Sequence, residues 1–143
     1  MMYCEANTDD IAALSEVRLS VKENVLSNPR RITFEIHQTY LSEIGKGWLC
    51  EVNGSVVGFS VASLKDASIW ALFVKPEYEG KGIGTKLLKL ATEWLFVAGA
   101  PTISLSTDVN TRADNFYERL GCKRGEIRSD VEICYTLDRP KEV

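Results

Sequence analysis

Residues 74–88 read VKPEYEGKGIGTKLL, where the end of an apolar strand passes through a turn with three glycines into a helix. Because glycine has no Cβ, Gly80, Gly82 and Gly84 let the backbone adopt left-handed angles and let an anion approach its N–H groups. The helix that follows adds unpaired amides and the positive end of its dipole at the same point. The segment therefore predicts a turn that binds phosphate groups.

The spacing of the glycines distinguishes three kinds of phosphate-binding turn. A P-loop ends in Gly-Lys-Ser/Thr, whereas here Gly84 is followed by Thr85 and only then by Lys86. The dinucleotide motif Gly-x-Gly-x-x-Gly fits the first two glycines but has Thr85 at its third glycine position. That motif also needs an acidic residue about 20 positions on at the end of the next strand, and the nearest candidate is Asp108. The spacing excludes a P-loop and disfavours dinucleotide binding.

The third kind of turn fits. Residues 79–84 resemble the pyrophosphate-binding loop of the GNAT superfamily, enzymes that transfer an acetyl group from acetyl-CoA to an amine. The family pattern is Gln or Arg, two free residues, Gly, one free residue, and then Gly or Ala. Gly82 and Gly84 match it, while Glu79 stands where Gln or Arg is usual. Because such a loop binds mainly through backbone amides, Glu79 bears on affinity more than on the identity of the ligand.

A second stretch, residues 108–122, reads DVNTRADNFYERLGC and is similar to the family motif Asn-x-x-Ala-x-x-Leu/Phe-Tyr-x-x-x-Gly-Phe. Cys122 replaces the last Phe of that motif. The interval between the two motifs accommodates one helix and one strand, as the family requires. The matching positions are Asn110, Ala113, Phe116, Tyr117 and Gly121.

The resemblance implies a site where two neighbouring strands part, with the pantetheine arm of acetyl-CoA bound between them by backbone groups. Tyr117 is the implied general acid, because a phenol with a pKa of about 10 can protonate a departing thiolate with a pKa of about 8.5. Without the motif, Tyr117 would be interpreted as a core aromatic residue and Asn110 as a helix or turn cap. The implied cofactor-binding residues are Leu72, Phe73, Val74, Glu79, Gly80, Lys81, Gly82, Ile83, Gly84, Thr85, Asn110 and Tyr117.

The general base is not identified by the sequence. Some relatives place a glutamate on the strand that residues 68–74 occupy here, and this strand has none. Glu23, Glu35 and His37 could act through water, although glutamates on helices are mostly solvated and a single histidine is more often structural. A lysine-like amine, with a pKa of about 10.4, is seldom neutral at pH 7, whereas an α-amine has a pKa of about 8. The missing base therefore slightly favours an α-amine acceptor or a base that acts through water.

The acceptor is expected to face residues 18–40, which join the first two helices of the fold that the resemblance implies. Four basic residues make this segment compatible with a substrate that carries a carboxylate, although solvated charge explains most of them. They are Arg18, Lys22, Arg30 and Arg31.

The composition predicts a single domain over residues 1–143. With 45% hydrophobic residues, 143 residues can bury one core but not two ordinary ones. The 17 basic and 20 acidic residues include no basic run, which argues against nucleic acid as a partner. The chain has no secretory signal and no apolar run of about 18 residues, so we expect a soluble, cytoplasmic protein without a membrane contact. Four widely spaced cysteines and one histidine predict reduced thiols and no metal site.

The hydrophobic pattern predicts a mixed α/β fold in which a central sheet of about seven strands is flanked by about four helices. Gly45 is expected to cap the second helix, and Asn53-Gly54 predicts a type I′ hairpin turn with two positive φ angles. The apolar run 69–74 predicts a central strand covered on both faces. The predicted elements follow the order of the GNAT fold. A strand over 2–7 precedes a helix that starts at Asp9 or Asp10 and has one apolar stripe, and then come helix 33–45 and strands 48–52, 56–64 and 69–74. A helix from Gly84 to Ala98, strand 103–106, helix 113–120 and strands 122–128 and 131–137 complete the order, and the stripe of the first helix consists of Ile11, Leu14, Val17, Arg18 and Val21.

The sequence therefore predicts an acetyl-CoA-dependent N-acetyltransferase that acts on the amine of a small molecule, amino acid or peptide by direct attack on the thioester. One alternative is a GNAT-like domain that binds acyl-CoA without turnover, as a sensor or interaction module. A longer acyl group or an oxygen acceptor also stays open, because both depend on the shape of the pocket. Many relatives form homodimers, but no pattern in this chain identifies an interface.

Overall fold

Seven strands form one sheet in the computed structural model, which describes residues 1–20, 34–108, 112–128 and 132–139. The strands are β1 Met2–Ala6, β2 Gly45–Val52, β3 Ser55–Ser63, β4 Ser68–Val74, β5 Thr102–Asp108, β6 Lys123–Arg128 and β7 Glu132–Asp138. They lie in the order β1-β2-β3-β4-β5-β7-β6, and every neighbouring pair is antiparallel except β4 and β5. The expected mixed sheet of seven strands is confirmed.

Four α-helices cover the two faces of the sheet in the described ranges. Successive side chains of β3 point to opposite faces of the sheet. Phe59 and Val61 pack with the first helix, whereas the hydroxyl of Ser60, between them, donates to the carbonyl of Leu87 on the third helix at 3.0 Å. The helices are α1 Ile11–Ser20, α2 Phe34–Thr39, α3 Ile83–Val97 and α4 Arg112–Arg119, with short 3₁₀ turns at Thr8–Asp10 and Pro76–Tyr78.

The junction between α2 and β2 differs from the prediction. The helix expected to reach Gly45 ends at Thr39 and continues as one turn of π-helix, Tyr40–Ile44. Gly45 is not a left-handed cap, because its backbone is extended and it is the first residue of β2. A Cβ at this position would overlap the backbone carbonyl oxygen of Ala62. Glycine is therefore required here by the close approach of β3, and not by a helix cap.

The hairpin between β2 and β3 has the predicted turn. Asn53 has a φ of 52° and Gly54 a φ of 80°, the two positive values that a type I′ turn needs. Most other predicted boundaries lie within one or two residues of those observed. Val21, Thr33 and Val131, which belong to predicted elements, lie outside the described residues.

The pairing between β4 and β5 is short. Their register consists of one residue pair, Ser68 with Ser104, supported by a 3.0 Å hydrogen bond from the N–H of Ser104 to the carbonyl of Ala67. Within β4, Ile69 and Ala71 are buried, but the last three residues are only half-buried. The expected central strand is covered on both faces, because Phe73 packs towards α1 while Leu72 and Val74 pack towards α3; only its edge towards β5 is open beyond the first residue.

A β-bulge lies in the middle of β4. The neighbouring residues Val61 and Ala62 of β3 pair with Ala71 and Ile69, so that Trp70 is an extra residue without a partner in the register. A bulge bends its strand and increases the local twist. The bulge at Trp70 therefore bends β4 between its first residues and its open end.

A buried hydrogen-bond network joins α4 to the last two strands. The hydroxyl of the fully buried Tyr135 contacts the carboxylate of Asp114 and lies 2.8 Å from its backbone carbonyl oxygen. Two guanidinium nitrogens of Arg124 each lie 3.5 Å from a carboxylate oxygen of Asp114. Burial, followed by the hydrogen bond to Asp114, raises the pKa of Tyr135 to about 12. The network fixes the first half of α4 over β7.

We predict that Tyr135→Phe lowers the free energy of unfolding by about 1 to 3 kcal/mol, because the buried Asp114 carboxylate loses a hydrogen-bond donor. Urea denaturation followed by circular dichroism measures the change. The control is Tyr78→Phe, which removes the hydroxyl of a half-buried tyrosine and should change stability by less than about 0.5 kcal/mol. Equal effects of the two substitutions would contradict a network that supports α4.

The raised pKa of Tyr135 also predicts a loss of stability in alkaline solution. The unfolded tyrosine ionises near pH 10, so between about pH 10 and pH 12 the folded state binds more protons than the unfolded state. The contribution is complete below pH 10 and declines as the pH rises towards the folded pKa. Urea midpoints at pH 9, 10 and 11 should fall more steeply for the native chain than for Tyr135→Phe. Parallel curves would refute this linkage.

Candidate active site

The glycine turn between β4 and α3 has the predicted left-handed backbone at two of its three glycines. Gly80 has a φ of 79° and Gly82, the N-cap residue of α3, has a φ of 83°. The first helical hydrogen bond runs from the N–H of Lys86 to the carbonyl of Gly82 at 3.1 Å. No atom lies within 4 Å of the position that a Cβ on Gly82 would occupy. The outer side of the turn is therefore open to a ligand.

Gly84 has a different role from the one expected of it. It lies in the first turn of α3 with helical backbone, so the prediction of a left-handed angle was wrong for this glycine. A Cβ on Gly84 would lie 3.5 Å from Cζ of Phe116 and 3.7 Å from Cγ2 of Val74. The small residue thus brings three elements together: the end of β4, the start of α3, and α4. Sequence reasoning matched Phe116 to a family position but did not detect this contact.

The start of α3 presents free backbone donors. The amides of Ile83, Gly84 and Thr85 precede the first intrahelical hydrogen bond, and the capping residue is a glycine without a side chain. The first turn contains no acidic residue, and Thr85 is exposed. Ile83 is buried in the core and anchors the turn. These amides and the helix dipole form a place suited to an anion.

The other residues of the glycine turn lie just before the start of α3. Glu79 is half-buried, while Gly80 and Lys81 are exposed. The turn is entered through Pro76–Tyr78, and the N–H of Lys75 donates to the carbonyl of Val57 at 2.8 Å. The loop is thus tied to β3 just before the glycines begin.

The end of β4 has one edge without strand partners. Leu72, Phe73 and Val74 pair with β3 on one side, whereas β5 pairs only with the first residue of β4. Leu72 and Val74 pack towards α3, and Phe73 packs towards α1. The backbone polar groups on the open edge are free to bind an extended ligand, and the ligand would have α3 on one side and α1 on the other.

Tyr117 on α4 belongs to the same hydrophobic cluster as Leu72 and Val74 and is buried, with 5% of its surface exposed. Its ring centroid is 5.6 Å from those of Phe116 and Tyr135. Burial raises the pKa of Tyr117 well above its ordinary value, and Cys122 and Tyr135 raise it further. The phenol is therefore protonated at neutral pH. Asn110, the other polar residue expected from the second motif, lies outside the described residues.

On the α1 side of β4, aromatic rings surround a cation. The Cζ atom of Arg18 lies 4.7 Å from the ring centroid of Phe73, 5.0 Å from that of Trp70 and 5.9 Å from that of Phe59. Its Nε and Nη2 atoms are buried, and neither has a hydrogen-bond partner in the part of the chain that the structure describes. Burial lowers the pKa of the Arg18 guanidinium to about 10, which leaves it charged at neutral pH.

The candidate bases fall in different places. His37 is buried on α2 and packs edge-on against Trp70, with ring centroids 5.5 Å apart, and Tyr40 stacks on the same indole at 4.0 Å. Glu23 lies outside the described residues, as do Lys22, Arg30 and Arg31. Glu35 belongs to α2, but the structure does not describe its side chain. The structure thus brings His37 and Arg18 to the same face as Phe73.

Three kinds of feature are absent from the described ranges: a metal-ligand cluster, a disulfide and a helix that could span a membrane. No group of three His, Cys, Asp or Glu side chains there is arranged to hold a metal ion, and the cysteines Cys4, Cys50, Cys122 and Cys134 are free thiols. Within the same ranges, no helix combines the length and apolar character needed to span a bilayer.

Comparison with known proteins connects this geometry to a family. The family described as Acetyltransferase (GNAT) family matches residues 13–122. An uncharacterized N-acetyltransferase of Methanocaldococcus jannaschii is 36% identical over 90 residues, which cover 56% of this chain and 40% of that protein. The thialysine N-epsilon-acetyltransferase of Bos taurus is 35% identical over 77 residues, covering 52% of this chain and 45% of that protein. The chain thus spans less than half the length of these two relatives.

Solved structures show the same fold at low identity. The PaiA N-acetyltransferase of Thermoplasma acidophilum in complex with coenzyme A superposes with a TM-score of 0.84, at 19% identity, over 96% of this chain and 98% of that one. The family match covers both motifs, because it begins within α1 and ends at Cys122, the last residue of the second motif. The chain therefore belongs to the GNAT acetyltransferase family.

Proposed function

We propose that the protein is an acetyl-CoA-dependent N-acetyltransferase that acetylates the amine of a small molecule, amino acid or peptide. The observation that carries this proposal is the contact at Gly84, because it joins the amides of α3, the open edge of β4 and the aromatic pair of α4 in one place. Membership of the family and the names of the relatives support acetyl transfer. The coenzyme A complex of the Thermoplasma neighbour supports the choice of donor.

The residues present fit coenzyme A. The amides of Ile83, Gly84 and Thr85 would bind the pyrophosphate, and the turn before them leaves room because Gly80 and Gly82 have no side chains. The open backbone edge of Leu72, Phe73 and Val74 would hold the pantetheine amides by strand-like hydrogen bonds. Lys81 is exposed beside the turn and adds positive charge, while Glu79 and Asn110 complete the proposed cofactor-binding set.

Tyr117 is the proposed general acid. The acceptor nitrogen attacks the carbonyl carbon of the thioester, the C–S bond breaks, and the phenol of Tyr117 donates its proton to the departing sulfur. The nitrogen releases its own proton to solvent, and the phenolate of Tyr117 takes up a proton from solvent, which restores the acid. No hydrogen bond within the described part of the chain holds the Tyr117 hydroxyl, so the proton is available to a ligand. Burial raises the pKa of Tyr117, which keeps its proton on oxygen at neutral pH and makes the phenol a weaker acid than free tyrosine, so the transfer requires a departing sulfur that is itself poorly solvated.

The end of β4 indicates which amines are favoured. Leu72, Phe73 and Val74 supply no carboxylate that could remove a proton. At pH 7 the neutral form of an α-amine costs about 1 kcal/mol, and that of a lysine-like amine about 4 to 5 kcal/mol. An α-amine is therefore the easier acceptor, and His37 is the candidate for a base that acts through water. The name of the bovine relative specifies a side-chain amine, so both kinds belong in the test.

The test is thiol release from acetyl-CoA with a panel of amino acids, peptides, polyamines and aminoglycosides, alongside calorimetry of coenzyme A binding. Turnover with one class of amine supports the proposal and names the acceptor. Tight binding without turnover across the panel would instead favour an acyl-CoA-binding sensor or interaction module. Absence of coenzyme A binding would exclude both functions.

The role of the α3 amides predicts opposite effects on binding and stability for one substitution. Thr85→Glu should weaken coenzyme A binding about tenfold or more, because its carboxylate would repel the pyrophosphate. The same change should leave the free energy of unfolding equal or a few tenths of a kcal/mol higher, because an acidic residue favours the start of a helix. The uncharged control Thr85→Gln should bind within about twofold of the native chain. Equal affinities of the two variants would place the pyrophosphate elsewhere.

The role of Tyr117 predicts a loss of rate without a loss of binding. Tyr117→Phe should lower kcat about 100-fold, while the Kd for coenzyme A and the free energy of unfolding change little. Stopped-flow thiol release, calorimetry and urea denaturation give the three values. Tyr3→Phe, on β1 at the edge of the sheet, is the matched control and should leave kcat unchanged. Unaltered turnover in Tyr117→Phe would rule out the phenol as the acid.

A further inference from the structure

Arg18 places a positive charge in an apolar part of the fold. It lies on the inner stripe of α1 with Leu14 and Val17, both fully buried. Its Nε and Nη2 atoms are buried without an acceptor in the described ranges. The acidic residue two positions earlier, Glu16, is engaged with Lys75 at 3.1 Å. Buried charged donors without acceptors are costly and rare, so this one calls for an explanation.

The surrounding rings hold the guanidinium without using its N–H groups. The Cζ atom lies over the rings of Phe73, Trp70 and Phe59 at 4.7, 5.0 and 5.9 Å. Such contacts are made through the ring faces, whereas the N–H donors of arginine lie in the guanidinium plane and match two carboxylate oxygens. The side chain is thus positioned in advance, and its donors at Nε and Nη2 are still unused.

The position of Arg18 relates it to the acceptor side of the proposed site. Phe73, the closest of its aromatic neighbours, belongs to the open end of β4. Its ring packs towards α1, whereas the flanking Leu72 and Val74 pack towards α3. Arg18 therefore lies one side chain away from the proposed thioester strand, on the face opposite the helix that would bind the pyrophosphate.

We propose that Arg18 binds a carboxylate of the acceptor, so that the enzyme acetylates amino acids or peptides that carry a free carboxylate near the amine. This inference rests on the proposed function, because it takes the α1 face of β4 as the acceptor side. The carboxylate supplies the two acceptors that Nε and Nη2 lack, and it holds the amine next to the strand end. Polyamines and aminoglycosides, which carry no carboxylate, would leave these donors unpaired and be poor substrates.

The substitution that tests this is Arg18→Met, which keeps an unbranched side chain among the rings and removes the charge. Each amino acid of the panel is compared with its carboxamide as acceptor. A carboxamide also changes the pKa of the amine, so the measured quantity is the change in the kcat/KM ratio between native chain and variant at one pH. Lys46→Met, which removes a half-buried cation paired with Glu5 at 2.8 Å, is the control.

The expected result is a selective loss. In Arg18→Met, kcat/KM for the carboxylate acceptor should fall about 30-fold or more relative to the carboxamide, with the KM for acetyl-CoA unchanged. Arg18→Lys should recover part of the preference. Because the charge has no described partner, the free energy of unfolding of Arg18→Met should equal or exceed that of the native chain. Equal losses for both acceptors, together with lower stability, would show that Arg18 only packs against the rings and would overturn the inference.

A second readout does not depend on turnover. Calorimetry compares the binding of N-acetylamino acids and their carboxamides to the protein saturated with coenzyme A. A preference for the carboxylate that is absent in Arg18→Met supports the site, and equal binding across the panel overturns it. If the preference is found without any acetyl transfer, the proposed function fails while the carboxylate site stands. Turnover without a carboxylate preference would refute the carboxylate site and leave the proposed function intact.

Discussion

The fold depends on the fact that its parallel strand pair stays together at one point only. Ser68 pairs with Ser104, and beyond that position β4 has no partner on its β5 side. A strand with one open edge must be held from elsewhere, and here the pairing with β3 and the hydrogen bond between Lys75 and Val57 do so. The open edge thus lies between the two layers of helices, with α3 on one face of β4 and α1 on the other.

Close approach between elements explains two of the glycines better than backbone freedom does. Gly84 lets α4 and the end of β4 reach the first turn of α3, and Gly45 lets β2 start against the carbonyl of Ala62. In both cases the absence of a side chain determines the distance between elements. The glycines with positive φ have the complementary function, because Gly80 and Gly82 change the direction of the chain and Gly82 leaves its outer side open.

Much of the fold could be predicted from the sequence because its signals are local. The Asn-Gly hairpin, the order of the elements and the turn before α3 each depend on neighbouring residues. The packing of Phe116 on Gly84 could not be predicted, because it joins residues far apart along the chain, and the bulge at Trp70 and the π-helical turn carry no residue pattern that marks them in the sequence. Arg18 is intermediate: its place on the apolar stripe of α1 was visible, but the rings that surround it come from β3 and β4.

The place of β1 in the sheet has a consequence for the order of folding. Ala6 pairs with Gly47, across a long stretch that includes both helices of one face, whereas β2, β3 and β4 follow each other as adjacent hairpins. Local pairings close small loops and form quickly, while distant ones first pay a larger loop entropy. During synthesis on the ribosome, the first strand must wait as an unpaired segment until the second has emerged. The antiparallel strands β2, β3 and β4 form first, and β1 then pairs with the free edge of β2.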